Sequence, residues 1–466
     1  MSAVIYRLYW DFCGYLRPML KRVLKFSKML AGNYSKSSMF QSVTAIFMFG
    51  SILCFIVVMG SSYFYMFPSS ETVVDTGRSR DGNNMSKECN VFDGKWVVDD
   101  SYPLYNASDC PFVEHGFDCV GNGRKDRDYL KWRWKPKNCE IPRLDVGAAL
   151  KYLRGKRVVF VGDSLSRTQW ESMVCMLMSG VEDKRFVYEA NGNEITKQIR
   201  HLSVRFETFS LTVEFYRSVF LVQPGAAPKH SPKRVKAVLK LDQMDDISSE
   251  WIDSDILIFN SGHWWTRTKL FELTSPVHFE SAPALLMAFI CLSKCSRRCD
   301  ITNHKFVQNL LGKLQTEIRD SGWYFQNGGR TKFGMPISNG LKIALATWKS
   351  WVEKAVNPNK TRVFFRTFES SHWSSGSRQN CKVTKLPTFK AKGKQRSSVS
   401  DAIIKAMNNV SVPVKLLHVT QMGASRSDAH VGSWSDNPSV PDCSHWCLPG
   451  LPDVWNELLF SFLLSK

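Results

Sequence analysis

The sequence predicts an α/β fold on a mainly parallel sheet covered on both faces. A small cysteine- and tryptophan-rich module and a single membrane-spanning helix precede it. Three observations carry this reading. Short, mostly apolar runs recur at Arg157–Val161, Asp255–Phe259 and Arg362–Arg366, as buried strands require, and Val414–Val419 reads as a further strand. Segments of helical spacing lie between and after them, at Leu165–Met178, Leu341–Val356 and Val454–Leu464. A 25-residue stretch, Val43 to Phe67, carries no charge.

The N-terminal elements set the compartment. A helix needs about 20 apolar residues to cross a bilayer, because its backbone must satisfy its own hydrogen bonds in lipid. The span at 43–67 meets that length and begins too late and runs too long for a cleaved signal peptide. Residues 1–42 hold seven basic residues and one acid, a net +6 that is expected to stay cytosolic. Everything after Pro68 is then lumenal or extracellular and keeps +14 of the total +20. A polyanionic partner remains attractive on that charge, but the topology excludes nucleic acid. With 44% hydrophobic residues in 466, wholesale disorder is excluded too.

Residues 68–87 are polar and rich in Ser, Asp, Asn and Gly, as in a flexible stem. The module at 88–142 carries four cysteines with Trp96, Trp132 and Trp134, and shows little helical period. Eight lumenal cysteines (Cys89, Cys110, Cys119, Cys139, Cys175, Cys381, Cys443, Cys447) form an even set in an oxidising compartment, which reads as up to four disulfides with 105 pairings open. Sequons stand at Asn84, Asn106, Asn359 and Asn409.

The main domain is expected over 143–466. Alternating aromatics at 204–222 suit a pair of strands. Residues about 274–320 fit poorly and read as an insertion. Its Cys291, Cys295 and Cys299 with His304 offer zinc-type donors, but not at a familiar zinc spacing, so no metal is assigned.

Two segments carry chemistry. In the first, the strand ending at Val161 runs into Gly162-Asp163-Ser164 and then directly into a helix. Ligands sit at the carboxyl ends of such strands, and a helix N-terminus offers amides to a developing oxyanion. The bland alternative is an N-cap, for which Asp and Ser are ordinary choices. In the second, Asp442 and His445 are three apart, close enough to meet on one helical turn, where the carboxylate would orient the imidazole. Cys443 and Cys447 would lock that loop, while His418 and His430 read as structural or solvated.

With these segments the chain resembles the plant trichome birefringence-like proteins, polysaccharide O-acetyltransferases whose PC-esterase domain is related to the GDSL/SGNH hydrolases. The resemblance rests on Cys89 to Val98 (CNVFDGKWVV), Asp109 to Phe112 (DCPF), Trp132 to Pro136 (WRWKP), Gly162 to Leu165 (GDSL) and Asp442 to Glu457 (DCSHWCLPGLPDVWNE). It implies an SGNH-like three-layer sandwich in a type II Golgi membrane enzyme. Ser164 would be the nucleophile, His445 the base and Asp442 its orienting acid. The Ser164 amide would donate to the oxyanion, with Asn260 or Gly262 helping and Gly162 and Asp163 shaping the turn. It also implies the pairs Cys89–Cys139, Cys110–Cys175, Cys119–Cys447 and Cys381–Cys443.

No bound cofactor is implied. The co-substrate would be an acetyl donor (acetyl-CoA or an acetylated intermediate), supplied by a membrane protein, and the acceptor a wall polysaccharide such as xylan or pectin. An acetylesterase on the same residues and a non-catalytic polysaccharide binder remain alternatives. The sequence departs from the family at the 274–320 segment. It departs again at Phe364 to Trp373, where the usual Ser-Pro-x-His wording is replaced and the substrate contact expected of His372 is in question.

Overall fold

The computed structural model describes residues 89–465 apart from 227–228, 230–236, 271–323, 334, 370, 374–380, 382, 389–396 and 409. The expected tail, span and stem, the 274–320 segment with its three cysteines and His304, and the sequons at Asn84 and Asn409 lie outside these residues. No described helix is long and apolar enough to cross a membrane.

The chain opens with two antiparallel strands, β1 (Gly94–Val98) and β2 (Trp132–Pro136), on which Trp96 and Trp134 meet edge to face at 5.4 Å. A short helix, α1 (Val146–Leu153), leads into β3 (Arg157–Gly162) and the long helix α2 (Ser164–Met178). Then come β4 (Val187–Glu189), β5 (His201–Phe206), β6 (Leu211–Arg217), β7 (Val222–Ala226), β8 (Ala237–Met244), β9 (Ile256–Asn260) and one turn of helix, α3 (Arg267–Leu270). After the undescribed stretch follow β10 (Tyr324–Asn327), β11 (Arg330–Phe333), α4 (Ile337–Ala355), β12 (Arg362–Arg366), α5 (Ser398–Met407) and β13 (Val414–Leu417). The chain closes with α6 (Thr420–Ala424), β14 (His430–Gly432), β15 (Asp442–Trp446) and α7 (Leu451–Leu464).

The main sheet has the order β13-β12-β9-β3-β6-β5-β4. Its first five strands are mutually parallel, and β5 and β4 add antiparallel pairings at one edge. Successive residues of a strand point to opposite faces, and here they divide between two cores. Val158, Phe160, Ile256, Ile258 and Phe364 join the core under α1, α2 and α7. Val159, Val161, Leu257, Phe259, Val363 and Phe365 join the core under α4 and α5. That division is why the runs look uniformly apolar in sequence, and it makes the domain three layers deep.

The strands expected from apolar runs and the pair at 204–222 are present. The sequence reading assigned no strands to β8, β10 and β11. With β7 they form a second sheet, β11-β10-β8-β7, on the α4 side. β8 is interrupted by Lys240, Asp242 and Gln243, so no continuous apolar run marks it.

The N-terminal module shares the first core: Trp96, Tyr105, Phe112, Phe117 and Trp134 are buried with residues of α2 and α7. With α1 and α7 it encloses α2, which is why Leu165 to Met178 are all buried although Arg167, Gln169 and Glu171 are polar. Those polar groups are met by partners. Arg167 pairs with Glu114 of the module and, at 3.3 Å, with Glu171, whose carboxylate accepts the Glu114 amide at 3.0 Å. Three of the four disulfides tie distant segments: Cys110–Cys175 joins module to α2, Cys119–Cys447 joins module to the end of β15, and Cys381–Cys443 clamps β15 itself. Cys89–Cys139 closes the module, completing the four pairs that the resemblance implied.

The motif at Leu451–Glu457 proves to be a docking face for that module. Tyr102 donates to Glu457 at 2.7 Å, Tyr105 to Asp453 at 3.2 Å, and Ser172 of α2 to Asp453 at 2.6 Å. Burial pushes the Glu457 carboxyl up to about 7 and that of Asp453 to about 6. A folded-state value above the unfolded one favours the protonated fold, so this contribution is full at low pH and is lost as pH rises through about 7. Glu457→Gln keeps an acceptor for Tyr102 and never ionises. It is expected to gain stability relative to wild type, by up to roughly 2–3 kcal/mol, between about pH 5 and about pH 8. Urea unfolding at matched pH checks this, and a pH-independent difference would contradict it.

Candidate active site

β3, β6 and β9 end side by side, with Gly162 opposite Arg217 on one flank and Val161 opposite Phe259 on the other. The chain turns at Gly162-Asp163 and enters α2 at Ser164. Asp163 is the N-cap, its Oδ1 accepting the Leu165 amide at 3.0 Å. The same oxygen accepts Asn260 Nδ2 at 2.9 Å, and Asn260 Oδ1 accepts the Asp163 amide at 3.2 Å. A Cβ on Gly162 would collide with Asn260 Oδ1, so only glycine admits this lock. The N-cap and nucleophile readings of the turn thus divide between neighbours: Asp163 caps the helix, leaving Ser164 at its first position. First-turn amides have no carbonyl four residues back to bond.

Ser164 Oγ stands 2.6 Å from His445 Nε2, and His445 Nδ1 stands 2.5 Å from Asp442 Oδ2. The expectation that Asp442 and His445 meet on a helical turn is corrected here. Both lie on β15, where residues three apart would face opposite sides. They meet because the Asp442 side chain curls back on its own strand, its Oδ1 accepting the amides of Ser444 at 2.7 Å and His445 at 3.0 Å. Burial alone would raise the Asp442 carboxyl; the His445 ring and those two amides hold it well below the usual carboxylate range instead. The side chains of His445 and Asp442 keep 23% and 29% of their surface exposed, so the imidazole is reachable from solvent.

Asn260 spends its carboxamide oxygen and one N–H on Asp163, acting on the turn rather than standing apart from it. Gly262 is buried where a Cβ would lie 2.8 Å from Phe368 and 3.0 Å from Val399, so its loop packs directly against the β12–α5 connection. Asn106 and Asn359 are exposed, at the start of a short turn of helix and in the turn before β12. No cluster of three or more metal-type donors exists among the described residues.

Three neighbours of the site escaped the sequence reading. Phe117 of the N-terminal module lies against the His445 ring at 5.4 Å, and its carbonyl accepts the Leu448 amide at 2.9 Å. His263, in the loop after β9, sits 3.9 Å from Asp163 Oδ2 and 4.0 Å from Glu369 Oε2; burial holds its imidazole down at about 4, hence neutral. Arg366, at the end of β12, is fully buried over Trp455 at 4.3 Å and paired with Glu369; burial lowers its guanidinium to about 9. Position after a strand end was the available signal for His263 and Arg366. Phe117 had none.

A serine at a strand–helix turn with a carboxylate-oriented imidazole can exchange acyl groups. The comparisons agree with that chemistry. A model of the GDSL/SGNH-like acyl-esterase family found in Pmr5 and Cas1p, PC-Esterase, matches residues 141–288 and 313–462, and one of the PMR5 N-terminal domain matches residues 87–140. The chain belongs to the trichome birefringence-like family. Trichome birefringence-like 7 of Arabidopsis thaliana is 51% identical over 421 residues, covering 90% of this chain and 83% of the relative. Trichome birefringence-like 6 and 38 of the same plant are 37% and 32% identical, covering 84% and 91% of this chain and 74% and 99% of those relatives. Residues 289–312 fall between the two matched stretches, inside the segment read as an insertion. Family membership supports acyl-transferase or esterase activity as the class of reaction.

A fluorophosphonate probe, which reports an activated serine, is expected to label Ser164. Asp442→Asn should slow that labelling by about a thousandfold or more, because the carboxylate both sets the His445 tautomer and stabilises its charged form. Labelling that survives Ser164→Ala would remove Ser164 from the role.

Proposed function

We propose that the protein is a polysaccharide O-acetyltransferase working by double displacement. The observation that carries this reading is the continuous line from Asp442 through His445 to Ser164, with contacts of 2.5 and 2.6 Å. Ser164 Oγ attacks the acetyl carbonyl while its proton passes to His445 Nε2, and the imidazolium is stabilised by Asp442. The Ser164 amide, with Asn260 and the Gly262 loop at its flank, faces the developing oxyanion. Collapse expels the donor's leaving group, which takes the proton and leaves acetyl-serine. A sugar hydroxyl then gives its proton to His445 and attacks the acetyl-serine. Breakdown of the second tetrahedral adduct returns that proton to Ser164 Oγ.

The donor is acetyl-CoA or an acetylated intermediate, delivered by a partner membrane protein, and the acceptor is a wall polysaccharide of the xylan or pectin type. The basic tail followed by an uncharged span supports a Golgi type II anchor with the catalytic domain in the lumen and sequon glycans on the same side.

An acidic acceptor is favoured by one feature of the site's rim. Arg217 ends β6 opposite Gly162, and its guanidinium lies 5.4 Å from the Trp264 ring centre, with Lys269 Nζ 4.8 Å from the same ring. By contrast, the partly buried Arg133 and Arg157 are paired with Asp99 and Glu214. Among the described residues neither Arg217 nor Lys269 has such a partner. Burial and the nearby Arg167 depress the Arg217 guanidinium, while Asp163 partly offsets them. A uronate carboxylate on the glycan would relieve that uncompensated charge.

Purified protein, wild type and Ser164→Ala, incubated with acetyl donor and a panel of deacetylated glycans tests the reading. Wild type is expected to transfer acetyl and to carry an acetyl adduct on the Ser164 peptide, and Ser164→Ala to do neither. Net deacetylation alone makes the enzyme an esterase, and transfer undiminished by Ser164→Ala leaves a polysaccharide-binding protein. Arg217→Gln is expected to raise KM for uronate-bearing acceptors about tenfold and to narrow the preference over neutral ones. An equal loss on both, or a rise in KM for the donor, would count against the acidic acceptor.

A further inference from the structure

His372 and His430 form a chain of contacts that ends on the main chain of His445. His430 Nδ1 lies 2.8 Å from the His445 carbonyl oxygen, His430 Nε2 lies 2.7 Å from His372 Nδ1, and His372 Nε2 lies 2.9 Å from the Ala424 carbonyl oxygen. His430 is fully buried and stacked on Trp446 at 3.8 Å, so its ring plane is set by packing.

A carbonyl oxygen only accepts, so both terminal nitrogens must carry hydrogen, and the central contact needs one more between its two nitrogens. That makes three hydrogens on two rings, whereas two neutral imidazoles carry two between them. All three contacts are hydrogen bonds only when the pair holds one extra proton. We propose that His372 and His430 are positioning residues for His445, sharing a single positive charge that holds the main chain of the base in register with Ser164. The proposal rests on the reading of His445 as the base.

The extra proton belongs to His372. That ring is only partly buried and can donate from both nitrogens, whereas burial and the neighbouring His372 hold His430 well below the ordinary histidine value, leaving it neutral with hydrogen on Nδ1. The charged groups around the pair act in both directions. Asp442 on β15 favours a positive charge, and the His445 ring opposes it. Arg124 of the module opposes it too, donating to the His430 carbonyl at 3.3 Å, while Arg426 is neutralised by Asp428 and Glu369 by Arg366. His372 is also anchored to the same strand through its own amide, which donates to the Cys443 carbonyl at 3.0 Å. Loss of the proton leaves one contact with lone pairs facing each other and loosens the strand that carries Asp442 and His445.

The charge is read directly by NMR of full-length protein labelled with 15N at histidine, assigned by His372→Asn. At the pH of maximal activity His372 is expected to be protonated on both nitrogens and His430 on Nδ1 alone. In kinetics, His372→Ala is expected to lower kcat about tenfold with KM for donor and acceptor within about twofold. Wild-type kcat should fall on the alkaline side as the pair loses its proton. His372→Asn has an amide that donates to His430 Nε2 without titrating. It should restore most of the activity lost in His372→Ala and lack the alkaline fall. A neutral His372 throughout the active range, or an unchanged alkaline limb in His372→Asn, overturns the proposal. The pH range for the NMR is set by fluorophosphonate labelling of Ser164, which needs no acetyl transfer, so the charged pair and the transferase reading fail separately.

Discussion

Ser164 Oγ and His445 Nε2 meet across 281 residues of chain, and everything else in the structure bears on keeping that 2.6 Å contact. The two partners are held in different ways. Ser164 begins a helix that grows directly out of the central sheet, and the turn before it is locked by Asn260 on the neighbouring strand. His445 sits on β15, which among the described residues forms a two-stranded sheet with the three-residue β14, outside the main sheet. A two-stranded ribbon is marginal by itself, so His445 needs supports that Ser164 does not.

Those supports come from far along the chain. Cys443 is tied to Cys381 and Cys447 to Cys119, so each end of the short segment around His445 is covalently fixed. The N-terminal module adds Phe117 against the imidazole and a main-chain hydrogen bond to Leu448. The His372–His430 pair acts on the same strand from its other side. The module is therefore packed into the same core and against the candidate site. Its tyrosines meet the buried carboxyls of α7, its Glu114 meets Arg167 of α2, and removing either partner would strand polar groups in the core.

Much of this was legible in the sequence where one local signal sufficed. Central parallel strands buried on both faces are nearly all apolar, so β3, β9 and β12 stood out. The strand–Gly-Asp-Ser–helix turn and the spaced Asp442 and His445 marked the two halves of the site before any fold was known. Signals that depend on a partner elsewhere were harder. The strands of the second sheet are half polar and acquire their identity from one another. Asp442 was expected on a helix because a spacing of three reads that way, whereas a side chain folding back on its own strand leaves no periodic trace. His430 looked structural and His372 looked like a doubtful substrate contact; only their mutual distance shows that they form one unit.

The sequence by itself determined the class of fold and the residue types available for acyl chemistry. These follow from periodicity and from short motifs, which are properties of neighbouring residues. Tertiary structure alone decided which residues meet around the candidate site: Phe117 and Leu448, Asn260 and Asp163, His263 and Glu369, His372 and His430. Each of these relations joins strand ends and loops that are remote in sequence. Packing of the sheet and its two helical layers sets their distances, and no local pattern encodes them.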